Sequence, residues 1–228
     1  MRAKGYKRAA LLAVPLALAG CEGPLSALSP AGPAARDIAG LWWAMLAGAG
    51  ALTALVLVLL ALAFGPPRQI TARRWTHGLG LGLSAAVLIP LLGAGLWVGE
   101  RILPRDDGAL EVRVHAVQWH GEFTHQGADG PVETRDRLIL PAGQPVDMVI
   151  TSADVIHSLW VPQLGGKMDA IPGRTNRLRL QADAPGLLHG QCAEFCGVGH
   201  AVMRFEVLVV EPEDFEVALA EAAGGHDD

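Results

Sequence analysis

The chain opens with long stretches free of charge and then changes to short alternations of polar and apolar residues. Leu41 to Phe64 holds 24 consecutive uncharged residues. At about 1.5 Å per residue this run reaches roughly 36 Å, enough to cross a hydrocarbon core of about 30 Å. His77 to Gly99 is a second uncharged stretch. Trp42 and Trp43 mark one end of the first run, and Trp75 and Trp97 lie near the ends of the second. Tryptophan is enriched at these levels because its ring suits the membrane–water boundary. Two transmembrane helices are predicted over 41–99, the second kinked at Pro90. An earlier apolar run, Ala9 to Ala19, is too short to span and follows Arg2, Lys4, Lys7 and Arg8. That order of basic and apolar residues reads as a signal segment over 1–20.

Beyond Asp107 the period becomes two. Glu111 to Val117, Arg135 to Leu140, Pro145 to Thr151, Arg177 to Gln181 and Met203 to Val210 read as strands separated by Pro, Gly and Asp. Several short strands at this spacing predict an all-β sandwich or barrel. Glu211-Pro212-Glu213-Asp214 opens a helix to about Ala223, with acids in its first turn where the helix dipole favours them. Residues 22–36 (EGPLSALSPAGPAAR) read as an extended linker.

Charge gives the hairpin a direction. The connection Gly65 to Thr76 carries Arg68, Arg73 and Arg74 and no acid. The positive-inside rule places it in the cytoplasm and both flanks outside. Residues 100–228 carry 21 acids and 10 bases, a net −11, whereas the first 99 residues carry +6. An acidic outer domain argues against nucleic acid and suits a basic protein partner, although solubility alone also explains such a balance.

The signal segment ends in Leu18-Ala19-Gly20-Cys21, which resembles the lipobox of bacterial lipoproteins. The resemblance implies cleavage before Cys21 and attachment of lipid to its thiol. An ordinary signal peptide with an incidental cysteine is the alternative.

The densest chemistry lies between Gln191 and Met203. Cys192, Cys196, His200 and Met203 follow the pattern Cys-x3-Cys-x3-His-x2-Met, and His157 stands 35 residues before Cys192. Two thiolates, two imidazoles and a thioether form a soft to intermediate donor set that suits copper over hard cations. A blue-copper site needs one cysteine, and two so close together can instead bridge a pair of coppers. On these residues alone, a disulfide between Cys192 and Cys196 and a structural Cys2His2 zinc site remain open.

The same residues resemble the CuA domain of cytochrome c oxidase subunit II. That family shows Cys-x-Glu-x-Cys-Gly-x-x-His-x-x-Met, matched from Cys192 to Met203, and Thr-Ser-x-Asp-Val-x-His-Ser, matched from Thr151 to Ser158. Its Asp-Ala-Ile-Pro-Gly-Arg stands at Asp169 to Arg174, and Gly-Gln-Cys at Gly190 to Cys192. The resemblance implies a cupredoxin-like Greek-key β-barrel behind a transmembrane hairpin. It implies two copper ions bridged by Cys192 and Cys196. His157 and Met203 would complete one copper, His200 and the Glu194 carbonyl the other. The Glu194 side chain would reach a Mg2+ ion shared with subunit I, and Trp119, in Gln118-Trp119, would be where electrons come in. The implied partners are subunit I, subunit III, cytochrome c and membrane lipid, with no nucleic acid, at a bacterial inner membrane. The implied activity is that of the electron-accepting subunit of cytochrome c oxidase, oxygen chemistry and proton pumping lying in subunit I.

Some positions depart from the family. His120-Gly121-Glu122-Phe123 replaces its dense aromatic run after Trp119, and Arg204 stands where a proline usually follows the methionine. Arg73, Arg74 and His77 surround Trp75-Thr76, where relatives carry a glutamate tied to proton uptake. No Cys-x-x-Cys-His occurs, so no c-type haem is fused. The expected division is a signal segment 1–20, linker 21–40, hairpin 41–99, CuA domain 100–215, and the helix end and tail 216–228. A quinol-oxidase-type subunit II, a membrane-tethered copper-binding cupredoxin and a zinc-stabilised exported domain are the competing functions.

Overall fold

The computed structural model describes residues 23–66 and 71–224. The signal segment and Cys21 therefore lie outside the described residues. The rest forms two units, residues 37–103 and a β-domain made of 104–224 together with the segment up to Arg36.

The first unit holds the two apolar helices. α1 runs Pro33–Ala63 and α2 runs Arg74–Ile102, each long and apolar enough to cross a membrane. Nearly all their large side chains are exposed, Phe64, Leu88, Ile89 and Leu92 among them. Helices apolar all round and left uncovered are suited to lipid rather than to water. α1 starts eight positions before Leu41, inside the segment read as linker. Pro33 is the first helical residue, where its missing N–H costs nothing. Asp37 then finds a partner across the hairpin, the Nε of Arg101 at 2.8 Å, and the same guanidinium lies 4.6 Å from the centre of the Trp97 ring. Pro90 sits inside an unbroken α-helical stretch from Ser84 to Ile102. The departure from α geometry lies upstream, where Arg74–Leu83 is wound as a π-helix.

The β-domain is built from ten strands in two sheets. β1 (Leu110–Val117), β2 (His120–Gly127), β3 (Gly130–Arg135), β5 (Val146–Ser152) and β8 (Asn176–Leu180) form one, in the order β3-β2-β1-β5-β8. β4 (Arg137–Pro141), β6 (His157–Trp160), β7 (Met168–Ala170), β9 (Gly186–Cys192) and β10 (Arg204–Val210) form the other, in the order β4-β10-β9-β6-β7. β1 runs parallel to β5 and β10 parallel to β4, and the other pairs are antiparallel. This is the cupredoxin-like, Greek-key arrangement expected.

Alternation explains the core. Val112, Val114 and Ala116 of β1 point inward, as do Phe205, Val207 and Val209 of β10. They meet Leu138, Leu140, Met148 and Ile150 between the sheets. The neighbour of Leu138 and Leu140 on β4, Ile139, faces the other way and is also buried, because a C-terminal helix covers it. α3 (Phe215–Gly224) follows a 3-10 turn at Pro212–Asp214 and lays Phe215 and Leu219 on Ile139. On the outer face of the first sheet, buried Asp147 is held by the Nε of Arg179 at 2.8 Å. Arg179 also grips both oxygens of Asp107 at 2.7 Å, and that contact holds the Asp107 carboxyl below the usual carboxylate range.

Candidate metal centre

Four separate pieces of the β-domain deliver the expected ligands to one end of the barrel. His157 is the first residue of β6 and is 1% exposed. Cys192 is the last residue of β9, Cys196 lies in the loop that follows, and His200 opens a single 3-10 turn. Met203 closes that turn directly before β10. Antiparallel pairing of β6 with β9 brings the two ends together, since Leu159 lies opposite Cys192. Cys192 N–H donates to the Met203 carbonyl at 3.0 Å and closes the base of the loop.

The donor atoms converge. The two Sγ atoms are 3.7 Å apart and both thiols are free. A disulfide needs about 2.05 Å between sulfurs, so these are neighbours and not a bonded pair. Cys192 Sγ lies 3.9 Å from His157 Nδ1 and 3.2 Å from the Glu194 carbonyl oxygen. Cys196 Sγ lies 3.7 Å from His200 Nδ1 and 3.8 Å from Met203 Sδ. His157, Cys192 and Cys196 alone bring three ligand atoms within 4.8 Å of one another, able to hold a metal ion. Burial pushes the Cys196 thiol up to about 12, and the neighbouring Cys192 pushes in the same direction. The Cys196 thiol therefore resists ionising without a cation, which is the state a thiolate-binding metal would relieve.

Around these ligands the structure adds Asp154, Gln118 and Gly199, to which sequence reasoning gave no role, beside Trp119, the expected electron entry. Asp154 Oδ1 accepts from His157 Nε2 at 2.9 Å, and its Oδ2 accepts from the Gln118 N–H at 2.8 Å. Partial burial works to raise the Asp154 carboxyl, but these bonds and one from the Val155 N–H hold it below the usual carboxylate value. Trp119, at the β1–β2 turn, donates from Nε1 to the Cys196 carbonyl at 3.2 Å, and Gln118 Nε2 donates to the same oxygen at 2.8 Å. The indole rests on Gly199, where a Cβ would come within 2.4 Å of the ring. Only glycine allows this approach between the tryptophan and the ligand loop. Asp154 stands three residues before His157 in one segment, a signal available in the sequence. The seat at Gly199 gives none, because its partner is 80 positions away.

Glu194 is placed differently from the thiols. Its carbonyl turns into the centre, but its half-exposed carboxylate turns out and accepts from Lys167 Nζ at 3.2 Å. Lys167 bridges it to Asp169 at 2.7 Å. The expected role toward Mg2+ thus falls on an oxygen that already holds a cation. Exposed apolar side chains, Phe195, Val198, Val202 and Ile156, surround the centre and partly exposed Trp119.

Residues 108–211 match the family described as cytochrome c oxidase subunit II, periplasmic domain. Among curated relatives, cytochrome c oxidase subunit 2 of Alkalihalophilus pseudofirmus is 36% identical over 107 residues, 47% of this chain and 30% of the relative. The subunit 2 of Schizosaccharomyces pombe is 45% identical over 100 residues, 44% of this chain and 40% of the relative. The chain thus spans well under half the length of either. A solved structure, the periplasmic domain of subunit II of the Bradyrhizobium japonicum cytochrome oxidase, is 29% identical, with a TM-score of 0.48 over 53% of this chain and 96% of that one. Over residues 108–211, the β-domain of this chain is thus similar to the periplasmic domain of cytochrome c oxidase subunit II.

Proposed function

We propose that this chain is the electron-accepting subunit II of a bacterial cytochrome c oxidase, anchored in the inner membrane with its β-domain outside. In this reading it takes electrons from cytochrome c and delivers them to haem in subunit I, where oxygen is reduced and protons are pumped. The observation that carries it is the convergence of two unbonded thiols, two imidazoles, a thioether and a carbonyl at one buried point. That donor set fits two copper ions. Cys192 and Cys196 would bridge them, with His157 and Met203 on one and His200 and the Glu194 carbonyl on the other. Bound there, a thiolate-bridged copper pair supplies a one-electron site that reorganises little on reduction.

The chain's own residues shape that site. The β6–β9 pairing fixes the distance between His157 and Cys192, and the Met203 carbonyl closes the ligand loop on the Cys192 N–H. Trp119 touches this loop at the Cys196 carbonyl while part of its ring remains at the surface, which suits it to receive electrons from a docked donor. The apolar rim of Phe195, Val198, Val202 and Ile156 offers a dry contact there, and the net acidity of the domain steers a basic donor toward it. Mg2+ shared with subunit I would require the Glu194 carboxylate to exchange Lys167 for the ion. Lipid on Cys21 would add a second anchor beside the hairpin.

The test is the electron paramagnetic resonance spectrum of the full chain, purified in detergent and loaded with copper. Hyperfine splitting from two equivalent coppers is expected. Cys196→Ser should abolish it, and Met203→Leu should keep both metals while shifting the potential. A spectrum of one isolated copper, or a normal delocalised spectrum in Cys196→Ser, overturns the assignment.

A further inference from the structure

We infer that Asp154 is a positioning residue that fixes the orientation of His157 and the placement of the Trp119 turn with one carboxylate. This deepens the two-copper reading and rests on it. His157 is almost fully buried, and its two ring nitrogens face different neighbours. Nδ1 points toward Cys192 Sγ at 3.9 Å and Nε2 lies 2.9 Å from Asp154 Oδ1. A carboxylate on Nε2 requires the proton there. The lone pair is then left on Nδ1, the nitrogen that faces the thiols. The same contact raises the electron-donating power of the ring.

The second oxygen does different work. Asp154 Oδ2 accepts from the Gln118 N–H at 2.8 Å, the last amide before Trp119. On its far side this turn is tied to the ligand loop, by Gln118 Nε2 and Trp119 Nε1 on the Cys196 carbonyl. Asp154 is itself held firmly. The Val155 N–H donates to its Oδ1 at 2.6 Å, the Ser152 hydroxyl accepts its own N–H at 3.4 Å, and the neighbouring Ala153 N–H donates to Ala116 in β1. The carboxylate therefore joins the β5–β6 connection, which carries the histidine, to the β1–β2 turn, which carries the indole. Each oxygen has one of these partners, so a single side chain bonds both pieces.

The test compares the full chain in detergent with Asp154→Ala and Asp154→Asn. Copper retention is measured against a competing chelator, the reduction potential by titration, and amide exchange at Gln118 by mass spectrometry. Asp154→Ala should bind copper roughly 10–100-fold more weakly, the range seen when a partner of a metal-bound histidine is removed. Its potential should rise, because a negative charge beside the site is gone, and Gln118 should exchange faster. Asp154→Asn keeps an acceptor for one backbone amide but not the charge, so it should shift the potential upward with a smaller loss of affinity. The unfolding midpoint of the metal-free chain separates positioning from plain stability. Affinity and potential equal to wild type in both variants, or losses matched by an equal fall in that midpoint, overturn the inference. A wild-type chain that takes up a single copper refutes the two-copper reading, and the variants' affinity for that copper still decides the role of Asp154.

Discussion

At the scale of single residues, what the sequence reveals depends on how far apart partners lie along the chain. Four of the proposed ligands fall within the twelve positions Cys192 to Met203, so their spacing shows in one line of text. The loop that gathers them is local, and only His157 has to be supplied by a neighbouring strand. Roles that arise across the barrel are silent, as with Lys167 on Glu194 or Gly199 beneath Trp119. His125 is a further case. It lies in a polar stretch where no strand is predicted, yet it is fully buried, and its Nε2 accepts from the Ile139 N–H at 3.0 Å. Burial pushes its pKa down from 6.5 to about 4. The folded domain therefore holds the neutral ring, while the unfolded chain takes up a proton below about pH 6.5. Stability contributed by the neutral ring is complete above pH 6.5 and is lost as the pH falls toward 4. The loss amounts to about 3 kcal/mol across that window, taking about 1.4 kcal/mol per pKa unit. Denaturant unfolding at pH 7 and pH 4.5 measures it against His125→Asn, which keeps an acceptor for Ile139 but does not titrate. The variant should lose clearly less stability between the two pH values, and equal losses would show that His125 does not set the acid limit.

At the scale of elements, strands that obey the period-two rule were legible and those that break it were not. β1 and β10 bury every second residue, and β5 and β8 set Val146, Met148 and Ile150, and Leu178 and Leu180, at alternate positions. β2 (HGEFTHQG) and β9 (GLLHGQC) are too polar and glycine-rich to declare themselves, and β6 and β7 are four and three residues long. Such strands form because their neighbours are already in place, a tertiary effect no local pattern encodes. The same holds for the segment before α1. Its Pro, Gly and Ser content predicts a free linker, but it is bonded to the β-domain. Ala31 N–H donates to Gln163 at 2.7 Å, and Asp183 N–H donates back to Ala31 at 2.9 Å. Gln163 Nε2 reaches Ser29, and Arg36 makes a two-pronged ion pair with Asp183. Gly32 lies so close to Gln181 that a Cβ would sit 2.1 Å from its backbone oxygen. A backbone atom cannot swing aside as a side-chain tip can, so Gly32→Val must lift the strap or distort the end of β8. Forcing atoms into packed space typically costs about 1–3 kcal/mol. Gly32→Val should lower the denaturant midpoint of the β-domain accordingly, whereas the same change at Gly166, where a Cβ meets open space, should do much less. Equal midpoints for the two variants would mean that the strap contributes nothing.

At the scale of the whole molecule, the hairpin was the most legible feature because its signal is additive. Twenty-four uncharged positions in a row outweigh any single propensity. What the pattern could not place was the start of α1, since Arg36 and Asp37 look like the end of an apolar segment. Both charges are paired in the folded chain, with Asp183 and Arg101. Orientation follows from the short connection and not from the large acidic domain. Translocation responds to Lys and Arg near the ends of the spans and is largely indifferent to the charge of a long exported region. Arg68, Arg73 and Arg74 should therefore hold the connection inside, and the −11 of residues 100–228 should follow outward without deciding anything. Alkaline phosphatase reports this directly, because it matures only where disulfides form, outside the cytoplasm. Fused after Gly224 it should be active, and fused after Thr76, at the end of the connection, it should be inactive. Replacing the three arginines with glutamate should raise activity at Thr76, whereas reversing three acids of the β-domain should leave the Gly224 fusion active. Activity at Thr76 in the unaltered chain would place the β-domain in the cytoplasm, where no donor at the outer face could reach the candidate metal centre.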